Sequence, residues 1–331
     1  MPLVDPSTER PPRWLPGGHL QTIVPSLLRR TLRVTTERER VELDDGDFLD
    51  LDWRREGRDK LVILSHGLEG SSSAVYIQAM AKTLWQEGWD VLAWNCRSCS
   101  GELNRLARFY HSGVSDDLEQ VLQHALAVHP AGQVDLVGFS LGGNLTLKLL
   151  GELGVRAPSR LHRAVAFSVP CDLASSSRRM ESWLSRRLYM PRFIRPLLEK
   201  VAAKRAHHPE IPEVHPQRRL ETFQQFDDHY TAPLHGFRDA ADYWERCSSR
   251  PWLSQIELPT LLVQAANDPF LAEACYPYRE ARESEALFLE VPRGGGHLGF
   301  GSPWDERNWA ESRVLEFLAP RSCSGTNSRS R

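Results

Sequence analysis

Apolar residues fall in short runs that alternate with longer stretches of helical periodicity over most of the chain. The first two runs, 33–43 and 47–53, predict two antiparallel strands, because the Asp45-Gly46 step between them favours a hairpin. Further strands are predicted at 61–64, 91–94, 134–137, 163–169, 261–264 and 286–291. Since strands that alternate with helices build a parallel sheet, the pattern predicts the α/β class. We expect a mostly parallel eight-stranded sheet with helices on both faces.

Helical periodicity separates these runs, for example over 74–87 and 141–153. Ser115 is expected to cap a helix, because an apolar stripe with helical spacing follows it. That stripe consists of Leu118, Val121, Leu122, Ala125 and Leu126. A closing helix is expected to begin at Ser302-Pro303 and to include Trp304.

The alternation stops between Pro170 and Pro259, where the sequence is helix-like, rich in charge and interrupted by prolines. We therefore expect 170–259 to be a helical cap insertion. The core would consist of 33–169 and 260–320, and residues 1–32 would form a proline-rich N-terminal leader. Residues 321–331 lack apolar side chains and are expected to be a disordered tail.

Composition narrows the class of protein. The 331 residues include 41 Lys and Arg against 43 Asp and Glu, and this balance argues against a nucleic-acid binder. No apolar stretch approaches the roughly 20 residues that cross a bilayer, and the first residues lack the apolar segment of a signal peptide. Six irregularly spaced cysteines favour reduced thiols. These features predict a cytoplasmic enzyme without a transmembrane segment.

Gly138-Phe139-Ser140-Leu141-Gly142 is the strongest chemical signal, because it lies between the strand predicted at 134–137 and the helix predicted at 141–153. A G-x-S-x-G sequence alone arises often by chance. At a strand-to-helix turn, however, it is what a nucleophile elbow requires, since small flanking residues allow a tight turn that exposes the serine. Ser140 is therefore the candidate nucleophile, and a plain glycine-rich turn is the alternative.

A serine nucleophile needs a base to take its proton and an acid to orient that base. His297 and Asp268 each follow a predicted strand, at the sheet edge where α/β proteins place their sites. The order Ser140, Asp268, His297 is the one expected of an α/β-hydrolase. Asp172, after the strand ending near Val169, is the second candidate for the acid.

The segment His66-Gly67-Leu68-Glu69-Gly70 follows the strand predicted at 61–64. Its position predicts that Leu68 N–H and Leu141 N–H hold the oxyanion of a tetrahedral intermediate. His66 would support this loop and take no part in the chemistry.

Several further segments match a single family pattern. They are His19-Leu20-Gln21-Thr22, Cys99-Ser100-Gly101-Glu102, Tyr110-His111-Ser112-Gly113, Gly142-Gly143-Asn144, Phe226-Asp227-Asp228, Thr231-Ala232-Pro233-Leu234-His235-Gly236-Phe237 and Gly295-Gly296-His297. With the motifs above, they make the chain resemble the YheT-like branch of the α/β-hydrolase superfamily, to which the Emb8-like proteins also belong. The resemblance implies a serine hydrolase that uses Ser140, Asp268 and His297 on carboxylic esters, from small molecules to lipids. The chain departs from the pattern at Ser98, where glycine is expected, and at Leu103, where proline is common.

Two other functions stay open at this stage. An acyltransferase would form the same acyl-enzyme on Ser140 and pass it to an alcohol or thiol, and a non-catalytic binding protein could share the fold. No metal or organic cofactor is expected. Cys96-Arg97-Ser98-Cys99 lacks the further ligands of a zinc site, and His207, His208 and His215 lack ligand spacing. The basic segment 178–205 would allow peripheral contact with an anionic membrane, although a cap helix with one face in the core and a solvated basic face is the ordinary explanation.

Overall fold

The computed structural model describes residues 3–4, 12–30, 33–213 and 219–319. Within these residues, eight strands form one sheet in the order β1-β2-β4-β3-β5-β6-β7-β8. The strands are β1 (Glu37–Glu42), β2 (Phe48–Arg54), β3 (Lys60–Ser65), β4 (Asp90–Asn95), β5 (Gln133–Phe139), β6 (Leu161–Phe167), β7 (Thr260–Val263) and β8 (Leu287–Glu290). Only the pairs β1–β2 and β2–β4 are antiparallel, so the predicted mostly parallel eight-stranded sheet is confirmed.

The helices flank this sheet and fill the segment between β6 and β7. They are α1 (Gly17–Leu28), α2 (Val75–Gln86), α3 (Ser115–Val128), α4 (Leu141–Leu153), α5 (Leu173–Met180), α6 (Trp183–Leu188), α7 (Met190–Arg205), α8 (Phe223–Phe226), α9 (Ala232–His235), α10 (Ala240–Cys247), α11 (Tyr278–Glu283) and α12 (Trp309–Leu318). Short 3₁₀ helices lie at Gly154–Arg156, Arg250–Gln255 and Glu273–Cys275, and Asp227–Thr231 is a π-helix.

Helices cover both faces of the sheet, as the pattern predicts. Alternate residues of β3 show the division, because Leu61 and Ile63 join the apolar cluster that contains α3 and α4. Val62 and Leu64 instead join the cluster that contains α2 and α12. A strand buried on both faces needs apolar side chains at nearly every position, which is why the central strands appear as continuous apolar runs.

Two predicted helix starts are wrong. Ser115 is the first residue of α3, not its cap, and its hydroxyl donates a hydrogen bond to Glu152 Oε2 instead. The closing helix α12 begins at Trp309, well after Ser302-Pro303, so exposed Trp304 lies outside it. Asn308 supplies the start signal, since its side chain accepts from Glu311 N–H while the Glu311 carboxylate accepts from Asn308 N–H.

Between β6 and β7, the described residues of 170–259 form helices and no strand. Part of this segment has its own apolar cluster, which includes Met180, Met190, Ile194, Val201, Phe226 and Tyr230. Its division from the core as a cap stays a prediction. Within 1–32, the helix α1 is present, and the sequence pattern did not predict it. The tail 321–331 lies outside the described residues, among which no helix is long and apolar enough to span a bilayer.

Candidate active site

Ser140 lies in a sharp turn between β5 and α4. Its backbone has φ +53° and ψ −116°, a conformation that costs a non-glycine residue energy and that clusters at functional sites. The flanking glycines allow the turn. A Cβ added to Gly138 would lie 2.5 Å from Gly142 O, and one added to Gly142 would lie 2.3 Å from Ser65 O. The G-x-S-x-G spacing therefore follows from the packing of α4 against the end of β3.

The three side chains expected to act together are in hydrogen-bond contact. His297 Nε2 lies 3.0 Å from Ser140 Oγ, and His297 Nδ1 lies 2.9 Å from Asp268 Oδ2. Because the buried carboxylate accepts the Nδ1 proton, Nε2 is left as an acceptor facing the serine hydroxyl. Phe270 stacks on the imidazole with a ring distance of 4.1 Å and limits its rotation.

Asp172, the second candidate for the acid, has a different role. Its side chain caps α5 by accepting a 2.8 Å hydrogen bond from Ser175 N–H. Among the described residues, no hydrogen bond joins Asp172 to His297. Asp268 is the carboxylate that the fold brings to the imidazole.

Helix α1 holds the loop that carries His297. Thr22 Oγ1 accepts a 2.8 Å hydrogen bond from His297 N–H, and Gln21 Oε1 accepts one from Gly295 N–H at 2.8 Å. Gln21 also accepts from the Asn267 side chain, next to Asp268. The sequence did not predict these roles of Gln21 and Thr22. Their place in the His19-Leu20-Gln21-Thr22 motif was the signal that could have identified them.

The loop at 66–70 brings Leu68, one of the two predicted oxyanion donors, close to Ser140, and the other, Leu141, directly follows Ser140. A Cβ added to Gly67 would lie 3.2 Å from Ser140 Cβ, and Leu68 and Leu141 line one cavity with Ser140. Within the described residues, neither Leu68 N–H nor Leu141 N–H donates to a protein acceptor. Both donors are therefore available to a ligand.

His66 supports this loop from beneath. Its Nε2 accepts from Cys96 N–H at 3.1 Å, so Nδ1 carries the proton and donates to Gly67 O at 2.7 Å. Complete burial lowers the pKa of His66 to about 4, which keeps the ring neutral at physiological pH. This arrangement agrees with a supporting role and leaves no free ring nitrogen for proton transfer.

Glu69 ties the same loop to the helical segment between β6 and β7. Its carboxylate accepts from Lys200 Nζ of α7 at 2.9 Å and from Tyr110 OH at 2.7 Å. Tyr110 OH in turn accepts from Glu69 N–H, and the Glu69 backbone has a left-handed φ of +55°. The amide beside Leu68 is thus clamped by an ion pair that the sequence did not predict, because its members lie 131 positions apart.

Two cavities meet at Ser140 and His297. The first has a volume of about 130 Å³ and is mainly apolar, with walls that include Met180, Phe193, Leu197, Phe223, Phe226 and Trp244. The second has a volume of about 420 Å³ and is bordered by α1 and by residues Tyr189, Arg192 and Phe193. A ligand held at Ser140 would therefore have two separate spaces for the groups on its two sides.

Asp227 is a buried carboxyl group in the wall of the first cavity, at the start of the π-helix. Burial raises the pKa of Asp227 to about 7, although Thr231 and Trp244 donate hydrogen bonds to it. The folded pKa lies above an unfolded value of about 4, so Asp227 stabilises the fold fully below about pH 4. That contribution is lost as the pH rises through about 7.

As the pH rises from 5 to 8, the free energy of unfolding should therefore fall less in Asp227→Asn than in the wild type. The measurement is the difference in thermal unfolding midpoint between the two proteins at each pH, which should shift in favour of the variant as the pH rises. Asp116→Asn, which replaces an exposed carboxyl group of α3, is the matched control. A difference for Asp227→Asn that stays constant across the range would contradict the raised pKa.

Within the described residues, the cysteine and histidine signals of the sequence do not form a metal site. Cys96 and Cys99 are buried free thiols, and burial raises the pKa of Cys96 well above its usual value. His208 bonds Arg105 O, and His215 lies outside the described residues. In the part of the chain that the structure describes, no cluster of three His, Cys, Asp or Glu side chains is arranged to hold a metal.

The departure at Ser98 has a local explanation. Its backbone has φ +63°, the left-handed region that favours glycine. The Ser98 hydroxyl donates to Asn104 Oδ1 and accepts from Asn104 N–H, and these bonds hold the loop in that conformation. Leu103 lies inside the same loop.

Comparison with known proteins places this geometry in a family. A family model described as alpha/beta hydrolase fold matches residues 60–302. The chain is 35% identical to the protein named "Putative esterase YheT" of Escherichia coli (strain K12), over 93% of this chain and 92% of that one. It is 25% identical to the protein named Phospholipase ABHD3 of Mus musculus, over 96% and 75% of the two chains.

A solved structure shows the same fold. The esterase Pf2001 of Pyrococcus furiosus superposes with a TM-score of 0.58 and 18% identity, with 96% of each chain covered. At that identity, the likeness concerns the fold alone. The family match and the 35% identity to a nearly full-length relative are stronger. The chain is a hydrolase that belongs to the YheT-like branch of the α/β-hydrolase superfamily.

Proposed function

We propose that the protein is a serine hydrolase that cleaves carboxylic esters through an acyl-enzyme on Ser140. The observation that carries the proposal is the continuous contact from Ser140 Oγ to His297 Nε2 at 3.0 Å and from His297 Nδ1 to Asp268 at 2.9 Å. A serine hydroxyl is a weak nucleophile, and this contact supplies both the base and the group that orients it.

The proposed reaction has two halves. In the first, His297 Nε2 takes the proton of Ser140 as Oγ attacks the ester carbonyl carbon, and the carbonyl oxygen becomes an oxyanion held by Leu68 N–H and Leu141 N–H. The oxyanion collapses, the alkoxide leaves with the proton from His297, and the acyl group stays on Oγ. In the second half, His297 takes a proton from water, whose oxygen attacks the acyl carbon. The carboxylic acid then leaves, and the proton returns to Ser140.

The proposed substrate is a small-molecule or lipid ester with an apolar acyl group. The aromatic and aliphatic wall of the first cavity supports this class, because such walls bind hydrocarbon chains. The names of the two relatives, a putative esterase and a phospholipase, are consistent with it. Many lining residues come from the helices between β6 and β7, so we propose that 170–259 acts as a cap over the acyl site.

The test is covalent labelling followed by product analysis. A fluorophosphonate should label the wild-type protein, and peptide mapping should place the label on Ser140. A panel of esters from acetate to long-chain lipids should then yield free acids in water. Label on another serine would contradict the assignment of Ser140, and the absence of both label and turnover would favour a binding protein. Transfer of the acyl group to an added alcohol in preference to water would favour an acyltransferase.

The ion pair between Glu69 and Lys200 should matter for the proposed oxyanion donor. Lys200→Met removes the charge but keeps the length of the side chain, so we expect Leu68 N–H to lose its fixed direction. Removing a whole donor costs about 10²-fold to 10³-fold in kcat, and misdirecting one should cost about 10-fold with little change in KM. Steady-state kinetics on an activated ester measure this split.

Arg195→Met is the matched control, because it removes a charge from the same helix at an exposed pair with Glu199. It should leave kcat near the wild-type value. Glu69→Gln should reproduce the Lys200→Met loss, and the double variant should be no worse than either single variant. The pair would not act as one unit on the loop if the fold-loss of kcat in the double variant were the product of the two single losses. The same conclusion would follow if Arg195→Met lost as much kcat as Lys200→Met.

A further inference from the structure

Helix α1 exposes three leucines of its apolar side to solvent. Its buried side carries Gln21 and Thr22, which bond the His297 loop. Leu20, Leu27 and Leu28 are 42%, 58% and 52% exposed. With Ile23 and Val24 they fall at positions i, i+3, i+4, i+7 and i+8, which is one continuous stripe on a helix. An amphipathic helix of a water-exposed surface has the opposite arrangement.

Helix α6 also exposes apolar side chains and buries a polar one. Trp183 is 75% exposed, and Leu184 and Leu188 are each more than one third exposed, whereas Ser185 is buried. The start of α1 meets the end of α6, because His19 Nδ1 of α1 lies 2.9 Å from the hydroxyl group of Tyr189, the residue after α6. We call the exposed apolar residues of α1 and α6 the docking face.

The docking face borders the entrance to Ser140. Ile23 belongs both to the stripe of α1 and to the wall of the 420 Å³ cavity that contains Ser140 and His297. Tyr189 and Arg192 form part of the same wall on the side of α6 and α7. Beyond Trp183, a surface groove of about 850 Å³ continues along α7 over Ile194 and Leu198. The apolar surface therefore lies around a route to the nucleophile.

Positive charge accompanies the docking face. Arg30, Arg187 and Arg192 are exposed and have no acidic partner among the described residues, whereas Arg186 and Arg195 pair with glutamates. Glu181 lies close to the start of α6 and has no ion pair in the described part of the chain, so it offsets one of these positive charges. Exposed Leu and Trp side chains mixed with exposed guanidinium groups match the boundary between anionic headgroups and acyl chains.

We propose that the docking face binds the surface of an anionic lipid bilayer and sets the second cavity over it. A second copy of this chain is the less suitable occupant. A two-fold interface would bring the same basic face of each copy together, so that positive charge would meet positive charge. An anionic bilayer supplies negative headgroups for the arginines and an acyl-chain region for the leucines and the tryptophan. Docking does not depend on the proposed function. Delivery of a lipid ester from the bilayer to Ser140 does, because it requires that the protein be an esterase.

The test is co-sedimentation of the full chain with phosphatidylcholine vesicles that contain about 30 mol% phosphatidylserine at low salt. The wild type should sediment with these vesicles and much less with phosphatidylcholine alone. Leu27→Ser combined with Trp183→Ser should weaken binding at least about 10-fold, because two apolar anchors are lost. Arg187→Gln should weaken binding to the anionic vesicles and leave the small residual binding to neutral ones unchanged.

Val155→Ser is the control. Val155 is 87% exposed, but it follows α4, whose other end carries Ser140, and so lies about 20 Å along that helix from the site. Sedimentation of this variant should equal that of the wild type. Thermal unfolding of each variant shows whether it is folded.

Three results would overturn the proposal: no sedimentation of the wild type, unchanged sedimentation of the Leu27/Trp183 double variant, or an equal loss in Val155→Ser. A wild-type dimer in solution that the double variant abolishes, without vesicle binding, would assign the face to a second copy. Ser140→Ala should sediment like the wild type. Sedimentation without any ester turnover by the wild type would support docking and contradict the proposed esterase alone.

Discussion

Ser140→Ala should lower kcat on any accepted ester by about 10⁵-fold to 10⁶-fold, because it removes the hydroxyl group that contacts His297 Nε2 and would carry the acyl group. The loss should fall on kcat, since both cavities keep their walls and KM reports binding in them. His297 would still lie beside Asp268, and Leu68 and Leu141 would still face the carbonyl. A small residual rate from these groups acting on water is the expected floor.

The measurements are steady-state hydrolysis of an activated ester and labelling by a fluorophosphonate. Ser254→Ala, at an exposed position outside both cavities, is the matched serine control and should retain wild-type turnover and label. Thermal unfolding should show that Ser140→Ala is folded. Turnover within about 10-fold of wild type in folded Ser140→Ala would mean that the acyl-enzyme does not form on this residue.

The parallel sheet could be predicted because its strands are buried on both faces. Leu61 to Leu64 are four consecutive apolar residues, and each of them is fully buried in the structure. Such runs stand out against polar loops and amphipathic helices without any knowledge of distant contacts. The hairpin of β1 and β2 was equally accessible, because Asp45-Gly46 specifies the turn locally.

The buried face of helix α1 could not be predicted by the same reasoning, although its apolar residues have helical spacing. A pattern of polar and apolar positions indicates which face of a helix is buried only when the apolar face is the buried one. In α1 the buried residues are Gln21, Thr22 and Pro25, and the side chains of Gln21 and Thr22 bond the backbone of the His297 loop. The start of α12 was missed for a related reason, since the Asn308 capping box competes with the proline at 303 as a start signal.

The positions of Ser140, Asp268 and His297 relative to the strands were accessible because each lies directly after an apolar run. Their supporting contacts were not. Arg97, inside the Cys96-to-Cys99 segment, is buried and bonds Asp47 and Asp117 as well as Asp45. Like the pair of Glu69 and Lys200, these partners are far apart in sequence and have no shared motif. Charged residues of this kind appear in the sequence as ordinary surface positions until the fold brings them together.

Asp268→Asn should lower kcat by about 10³-fold to 10⁴-fold while leaving the site intact. Asparagine has the same shape, but its amide group can donate a hydrogen bond to His297 Nδ1. The imidazole would then carry its proton on Nε2, facing Ser140 Oγ, and could not accept the serine proton. The variant would also lack the negative charge that stabilises the imidazolium during attack.

Asp172→Asn is the matched control, since it makes the same change in the other candidate acid. Asparagine caps helices about as well as aspartate, so α5 should persist and turnover should stay near the wild-type value. Initial rates on one activated ester, with thermal unfolding as the folding check, compare the two variants. If Asp172→Asn lost the larger share of activity, the orienting carboxylate would have been assigned wrongly. The contact of 2.9 Å between His297 Nδ1 and Asp268 predicts the reverse, because only a group that bonds the imidazole can select its tautomer.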